Sequence, residues 1–251
     1  MSNLSEITKV PELLNLHQSL LVIGDSIALG AAEVRGSQVL EYVQPTCIDL
    51  LKAAMPSLEV TVDGEVSRTS ASVRVEIDKL IERHQPKRAL LMVGGSDADL
   101  DWRRFVVTNG EVARSRVPVE KYESNLRLIC DKLIAAGATP ILMDMPNHHF
   151  VLRGPYVSKL AGKDIMPMLE RGGGQAESDR HLVLYRAAVS RVANDLGLQL
   201  VKFGKALEAY PAEAMLTHDG THPSAAAHRV IAATIIAVLT QPFSASAEMT
   251  A

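Results

Sequence analysis

A chain of 251 residues with 47% hydrophobic and 22% charged side chains has the make-up of a globular protein able to bury a full core. Its formal net charge of −3 argues against a broad basic field for nucleic acid or anionic lipid. Two cysteines, Cys47 and Cys130, lie in apolar helix-like stretches and read as reduced core thiols, not as a disulfide framework. Charges throughout residues 1–19 and the lack of any apolar run of membrane-span length point to a cytoplasmic protein.

In chain order, residues 1–18 read as an N-terminal arm, with Leu13, Leu14 and Leu16 available to pack on the body. The run Leu20-Leu21-Val22-Ile23 is short, aliphatic and stopped by Gly24, which predicts a buried strand followed by a helix-compatible segment. Asp25 and Ser26 then stand at the strand's carboxyl end and the helix's N-terminus, the edge where open α/β sheets place ligands and where free amides favour negative charge. Residues 31–44 carry no clear pattern. Thr46 to Met55 is helical, capped by Thr46, and Leu58 to Val62 alternates as a strand ended by Asp63-Gly64. Val73, Ile77, Leu80 and Ile81 recur at helical spacing, and Ala89 to Val93 is a third strand.

Residues 96–118 form a long polar connection with Trp102 and several arginines, a length that is often functional. A helix face of Tyr122, Leu126, Ile129, Cys130 and Leu133 precedes a fourth strand, Thr139 to Met143. A second connection spans 147–177, with Gly172-Gly173-Gly174 as a hinge. A helix over 182–196, a strand over 198–202 and a last helix over 224–239 complete the pattern, and residues 242–251 read as a frayed tail. Strands alternating with helices predict a parallel five-stranded sheet in a three-layer α/β/α sandwich, one domain over 1–251.

The chemistry concentrates at the two ends. Thr217-His218-Asp219-Gly220-Thr221-His222-Pro223-Ser224 precedes the last helix. A hydroxyl nucleophile needs a base, and that base needs an orienting carboxylate. Asp219 and His222 are three residues apart in a turn, so they complete a Ser-His-Asp set with Ser26; the bland alternative makes Ser26 a helix cap and His222 a surface histidine. A metal reading of His218, Asp219 and His222 ranks below the triad. Asp97, Asp99 and Asp101 alternate like a calcium loop but lack its glycine and final glutamate, and read as a solvated or substrate-facing loop. His148 and His149 follow a strand end and are candidates either for the pocket or for an exposed loop.

Gly24-Asp25-Ser26 with Gly30, and Asp219-Gly-Thr-His222-Pro, resemble the SGNH hydrolases, also called the GDSL esterase/lipase family. Tyr122-Glu-Ser-Asn-Leu to Gly137-Ala-Thr-Pro-Ile-Leu-Met, running into Met145-Pro146, extends the resemblance, which covers roughly residues 18–240. It implies a flavodoxin-like sandwich and acyl-ester chemistry without a metal or organic cofactor. It makes Ser26 the nucleophile and an oxyanion donor through its backbone N–H, His222 the base and then acid, and Asp219 its orienter. Two blocks depart from the family pattern. Arg68 stands where a glycine amide is usual, and Ser96, in Gly94-Gly95-Ser96-Asp97, stands where an asparagine is usual. Losing one oxyanion donor typically costs about 3–4 kcal/mol, which leaves the Ser96 hydroxyl, a water or the Arg68 guanidinium as replacements. Arg68 is expected to pair with Glu65, Asp97 or an anionic substrate. Arg68, Ser96 and Asp97 are therefore candidate substrate-binding residues beside the triad. The expected function is hydrolysis of an acetyl or other short-chain O-acyl ester of a sugar or polar small molecule, with no nucleic-acid or membrane partner. An O-acyltransferase using the same triad and a degenerate binding protein are the alternatives.

Overall fold

The aliphatic run that ends at Gly24 becomes strand β1 (Ser19–Gly24), buried from Leu20 onward, in the computed structural model, which describes residues 19–33 and 40–241. The arm at 1–18 and the tail at 242–251 lie outside those residues. In chain order there follow β2 (Ala31–Glu33), β3 (Leu40–Tyr42), α1 (Cys47–Ala54), β4 (Glu59–Gly64), α2 (Ser70–His84) and β5 (Arg88–Met92). Next come α3 (Gly95–Ala98), α4 (Trp102–Val107), α5 (Val119–Ala135), β6 (Thr139–Met143), α6 (Phe150–Ala161) and α7 (Met166–Arg171). The chain continues through α8 (Gly174–Asp195), β7 (Gln199–Val201), α9 (Phe203–Leu207), α10 (Ala212–Met215) and α11 (Ala225–Leu239).

The five longer-range strands pair in parallel in the order β4-β1-β5-β6-β7, with Gly24 opposite both Gly64 and Met92. Side chains alternate across a strand, and both faces are covered. Leu21, Ile23, Leu91 and Leu142 meet Val73 and Ile77 of α2, Leu126 and Ile129 of α5, and Tyr185 and Val189 of α8. Leu20, Val22, Leu90 and Ile141 meet Ile48 and Leu51 of α1 and Ile231 and Ile235 of α11. The result is the expected α/β/α sandwich with a flavodoxin-like strand order. Thr46 caps α1 as the sequence suggests: its hydroxyl accepts from Asp49 N–H (3.0 Å), and the Asp49 carboxylate accepts from Thr46 N–H (2.9 Å). Cys47 and Cys130 are free and buried.

Two expectations are corrected, one on the segment after Asp25 and one on the two long connections. The segment after Asp25 is a tight turn, not a helix: Ala31 N–H donates to Ser26 O (2.8 Å) and Gly30 N–H to Ile27 O (3.0 Å). Gly30 closes it at φ +72, where a Cβ would stand 2.5 Å from Thr46 Cγ2, and the chain then enters the antiparallel β2–β3 pair that the sequence did not disclose. The two long connections contain helices, α3 and α4 in the first and α6 and α7 in the second. Phe105, Val157, Ile165, Met168 and Leu169 bury one another in a third small core, so the helices are organised by contacts between connections and not by a strong pattern in either one. The glycine run is a helix junction, with Gly172 ending α7 and Gly173 (φ +97) starting α8.

His228 of α11 is fully buried, and its Nδ1 accepts from Cys47 N–H (3.1 Å), tying α11 to the start of α1. Burial pushes its pKa down from 6.5 to about 4, so the folded ring is neutral. The stabilisation from that neutral form is complete above the unfolded value and is lost as pH falls from 6.5 towards 4, a span worth on the order of 3 kcal/mol. His228→Asn keeps an acceptor near Nδ1 without a titrating ring, and should flatten the fall in stability between neutral and acid urea melts. Asp25, Asp97 and Asp144, each raised to about 6 by burial, change stability in the opposite sense over this window but do so equally in both proteins. Parallel pH profiles for the two proteins would exclude the role.

Candidate active site

Because β1 lies between β4 and β5, the chain leaves the carboxyl ends of β1 and β5 towards opposite sides, opening a crevice at the switch point of the sheet. Gly24 permits the sharp exit: a Cβ there would sit 2.3 Å from Ala28 Cβ. Asp25 N–H still bonds Met92 O (3.2 Å), while its buried carboxylate turns back to accept Ile27 N–H (2.9 Å). Burial raises Asp25 to about 6, opposed by the Ile27 N–H and by the charge of His222. Ser26 is thereby held over the crevice.

From the other end of the chain, a short antiparallel bridge between Leu216 and Pro223 folds residues 217–222 into a loop, with Thr217 N–H on His222 O (2.8 Å). Gly220 (φ +69) accepts His149 N–H (2.8 Å) and packs so closely that a Cβ would lie 2.5 Å from His149 O and Arg153 N. This seats the loop on the start of α6. Asp219 is fully buried; its Oδ1 accepts from Thr217 Oγ1 (3.0 Å), Thr221 N–H (2.8 Å) and His222 N–H (2.9 Å). Its Oδ2 stands 2.5 Å from His222 Nδ1. Burial alone would raise this carboxyl, but the His222 hydrogen bond and charge, with the two backbone donors, outweigh it and hold Asp219 well below the usual range. An ionised Asp219 assigns the ring proton to Nδ1 and leaves the Nε2 lone pair facing Ser26 Oγ, 3.0 Å away.

A cavity of about 630 Å³ opens on Ser26 and His222, walled by Val66, Trp102, Val106, Tyr156, Val157 and Leu160, with Arg103, Arg116 and Arg153 among its polar groups. Arg153 donates to Asp99 Oδ2 (2.9 Å) and lies 5.5 Å from the ring centres of both Trp102 and Tyr156. Among the described residues, no group of three or more His, Cys, Asp or Glu is arranged to hold a metal ion.

A model of the GDSL-like lipase/acylhydrolase family matches residues 22–230. The chain belongs to that family. No curated protein matches its sequence. Among solved structures, it resembles a lipase/acylhydrolase from Enterococcus faecalis (18% identity, TM-score 0.63), covering 89% of this chain and 96% of the other. A catalytic mutant of an acetylxylan esterase from Geobacillus stearothermophilus aligns at 19% identity and TM-score 0.61, over 92% and 97% of the two chains. The psychrotrophic esterase EstA from Pseudoalteromonas sp. aligns at 17% and 0.59, over 89% and 97%. At such identities the likeness speaks for the fold alone.

In this GDSL-family chain, Ser26, His222 and Asp219 form one hydrogen-bonded series, and Ser96 lines the same cavity from the first turn of α3. Asp97 does not face the cavity. Its buried carboxylate takes Ser70 N–H (2.9 Å) and the Ser70 hydroxyl (2.5 Å), fastening the β5 loop to α2. Arg68 is also turned away: Nη1 donates to Asp63 O (2.7 Å) and Oδ1 (2.8 Å), and Nη2 to Glu76 Oε2 (2.7 Å). Its backbone N–H closes a turn onto Glu65 O (3.1 Å). The expected partners were Glu65, Asp97 or an anionic substrate; β4 and α2 instead place the carboxylates of Asp63 and Glu76 around the guanidinium, and the neighbours Val66 and Ser67 reach the cavity in its stead. His148 and His149 border a separate cavity of about 240 Å³. Trp102 and Asp99 line the cavity from the connection that the sequence marked as functional, Asp99 from the loop read as solvated or substrate-facing; Tyr156 and Arg153 are the site residues that sequence reasoning missed.

Arg68→Ala would leave Asp63 and Glu76 without their shared cation. A loss of about 2 kcal/mol in urea melts is expected, with the relative rates on neutral and anionic esters unchanged within about threefold. A selective loss on anionic esters would return Arg68 to the site.

Proposed function

We propose that this chain is a carboxylic ester hydrolase that works through an acyl-enzyme on Ser26. The observation that carries this reading is the unbroken series Asp219 Oδ2–His222 Nδ1 and His222 Nε2–Ser26 Oγ, at 2.5 and 3.0 Å, opening into a cavity large enough for a small molecule. Ser26 Oγ attacks the acyl carbon while its proton passes to His222 Nε2, and the ionised Asp219 stabilises the imidazolium. The tetrahedral oxyanion draws on Ser26 N–H, which lies between two amides already engaged, with the Ser96 hydroxyl at the cavity wall as a second donor. The C–O bond to the alcohol breaks as His222 Nε2 returns its proton to the departing oxygen. Water then gives a proton to Nε2 and attacks the acyl-enzyme; the acid leaves and Ser26 recovers its proton. The description of structural neighbours as esterases supports the same chemistry. An intact series of this kind favours a hydrolase over a degenerate binding protein.

The cavity also bears on the substrate. Val66, Val107 and Leu160 line it while remaining 36%, 79% and 51% exposed, an apolar rim with room beyond an acetyl group. The reading is a small-molecule O-acyl ester whose acyl chain lies along this rim.

Ser26→Ala should lower turnover of a p-nitrophenyl ester by more than about 10⁴-fold with an unchanged melting curve, and Asp219→Asn by about 10⁴-fold. A fluorophosphonate probe should label Ser26 in the wild type, as read by mass spectrometry. An unlabelled Ser26, or equal rates in Ser26→Ala and wild type, would reject the mechanism. For wild type, kcat/KM should rise from the acetate to the hexanoate ester by about tenfold for roughly 1.4 kcal/mol of added apolar contact. A fall along that series would confine the site to acetyl groups.

A further inference from the structure

We infer that Arg103 and Arg116 form an anion-selecting pair in the wall of the Ser26 cavity, choosing esters that carry a carboxylate or phosphate away from the scissile bond. The inference rests on the hydrolase reading and adds a specificity that the triad does not supply.

The charge inventory of the wall points to it. Three arginines line the cavity, and Arg153 is neutralised by Asp99 at 2.9 Å and held beside two aromatic rings. Of the wall's carboxylates, Asp99 is spent on that pair and Asp25 is turned back onto Ile27 N–H. Arg103 and Arg116 make no ion pair among the described residues, although Arg116 acts at longer range on the buried Asp97. Two uncompensated guanidinium groups therefore remain beside an apolar wall, in a chain whose overall charge is −3. A cleft with low-dielectric walls focuses such a field on whatever enters.

The pair is also built in. Residues 99–101 and 114–116 run antiparallel, with Asp101 N–H on Arg114 O (2.9 Å), Arg116 N–H on Asp99 O (2.9 Å) and a bridge between Leu100 and Ser115. This fixes the backbone of Arg116 against the start of α4, which carries Arg103 one residue further on. Arg116 Nη2 then donates to Ser67 O (3.3 Å), which holds the guanidinium along the cavity wall; among the described residues the rest of its fork has no hydrogen-bond partner. Guanidinium forks match carboxylate and phosphate oxygens. Both side chains are exposed where they border the cavity, and the strand-like clamp with the contact to Ser67 is what holds Arg116 there.

The test compares the p-nitrophenyl monoester of adipic acid, which ends in a carboxylate, with its neutral methyl ester, which shares the chain and leaving group. Wild type should favour the anionic ester by about tenfold or more in kcat/KM, and raising salt from about 50 to about 500 mM should shrink that preference. In the double variant Arg103→Gln, Arg116→Gln the ratio of the two kcat/KM values should fall to within about threefold of unity. No preference in wild type, or a preference that survives in the double variant, would overturn the inference. A binding arm separates this from the hydrolase reading. Calorimetry on Ser26→Ala protein should show monomethyl adipate binding more tightly than dimethyl adipate, with the difference lost when both arginines are also replaced. If neither ester is hydrolysed, the serine mechanism fails while calorimetry still decides the arginines.

Discussion

Asp219 is a carboxylate with essentially no contact with water, and burying such a charge is affordable only when its lone pairs are filled. Here they are filled by a hydroxyl, two backbone amides and one imidazole, all within the loop that carries it. The same bonds that stabilise the charge shape the loop, since Thr221 and His222 N–H can reach Oδ1 only if the chain wraps around it. Gly220 has to tolerate both the left-handed backbone and the approach of α6. The orientation of His222 towards Ser26 is thus a consequence of how one buried charge is satisfied.

The opposite half of the site depends on the sheet. Ser26 sits at the carboxyl edge because β1 occupies a central place between β4 and β5, and because a glycine at position 24 lets the chain turn over Ala28. The turn carries no helix dipole, so under the proposed mechanism an oxyanion at Ser26 would draw on individual amides and on Ser96, which lines the same cavity. The crevice becomes a cavity only when α4 and α6 close around it. Phe105 of α4 and Val157 of α6 join Ile165, Met168 and Leu169, at the start of and within α7, in a small core separate from the two main cores.

Arginine has three distinct uses around this crevice. Arg68 is enclosed by Asp63 and Glu76 and braces β4 against α2. Arg153 is both paired and stacked, and holds Trp102 and Tyr156 in the cavity wall. Arg103 and Arg116 border the cavity and make no ion pair among the described residues. Residue type alone could not sort them, since the difference lies in which carboxylates the fold brings within reach.

The sequence alone determined the elements whose signals are local. The aliphatic runs at 20–23, 89–93 and 139–143 became parallel strands because short apolar stretches bounded by glycine or proline have few other ways to be buried. The Thr46 cap lay open to inspection for the same reason, being a contact within three residues. The pairing of Asp219 with His222 was legible too, as a contact across one turn. Tertiary structure alone decided the rest. Whether Ser26 headed a helix or a turn depended on Gly30 meeting Thr46, and the direction of Arg68 depended on Glu76 eight residues away on another element. The helices α4, α6 and α7, hidden in residues 96–118 and 147–177, share one small core, to which the first connection gives Phe105 and the second Val157, Ile165, Met168 and Leu169. A pattern divided between two segments has no period in either, so no reading of one stretch at a time could find it.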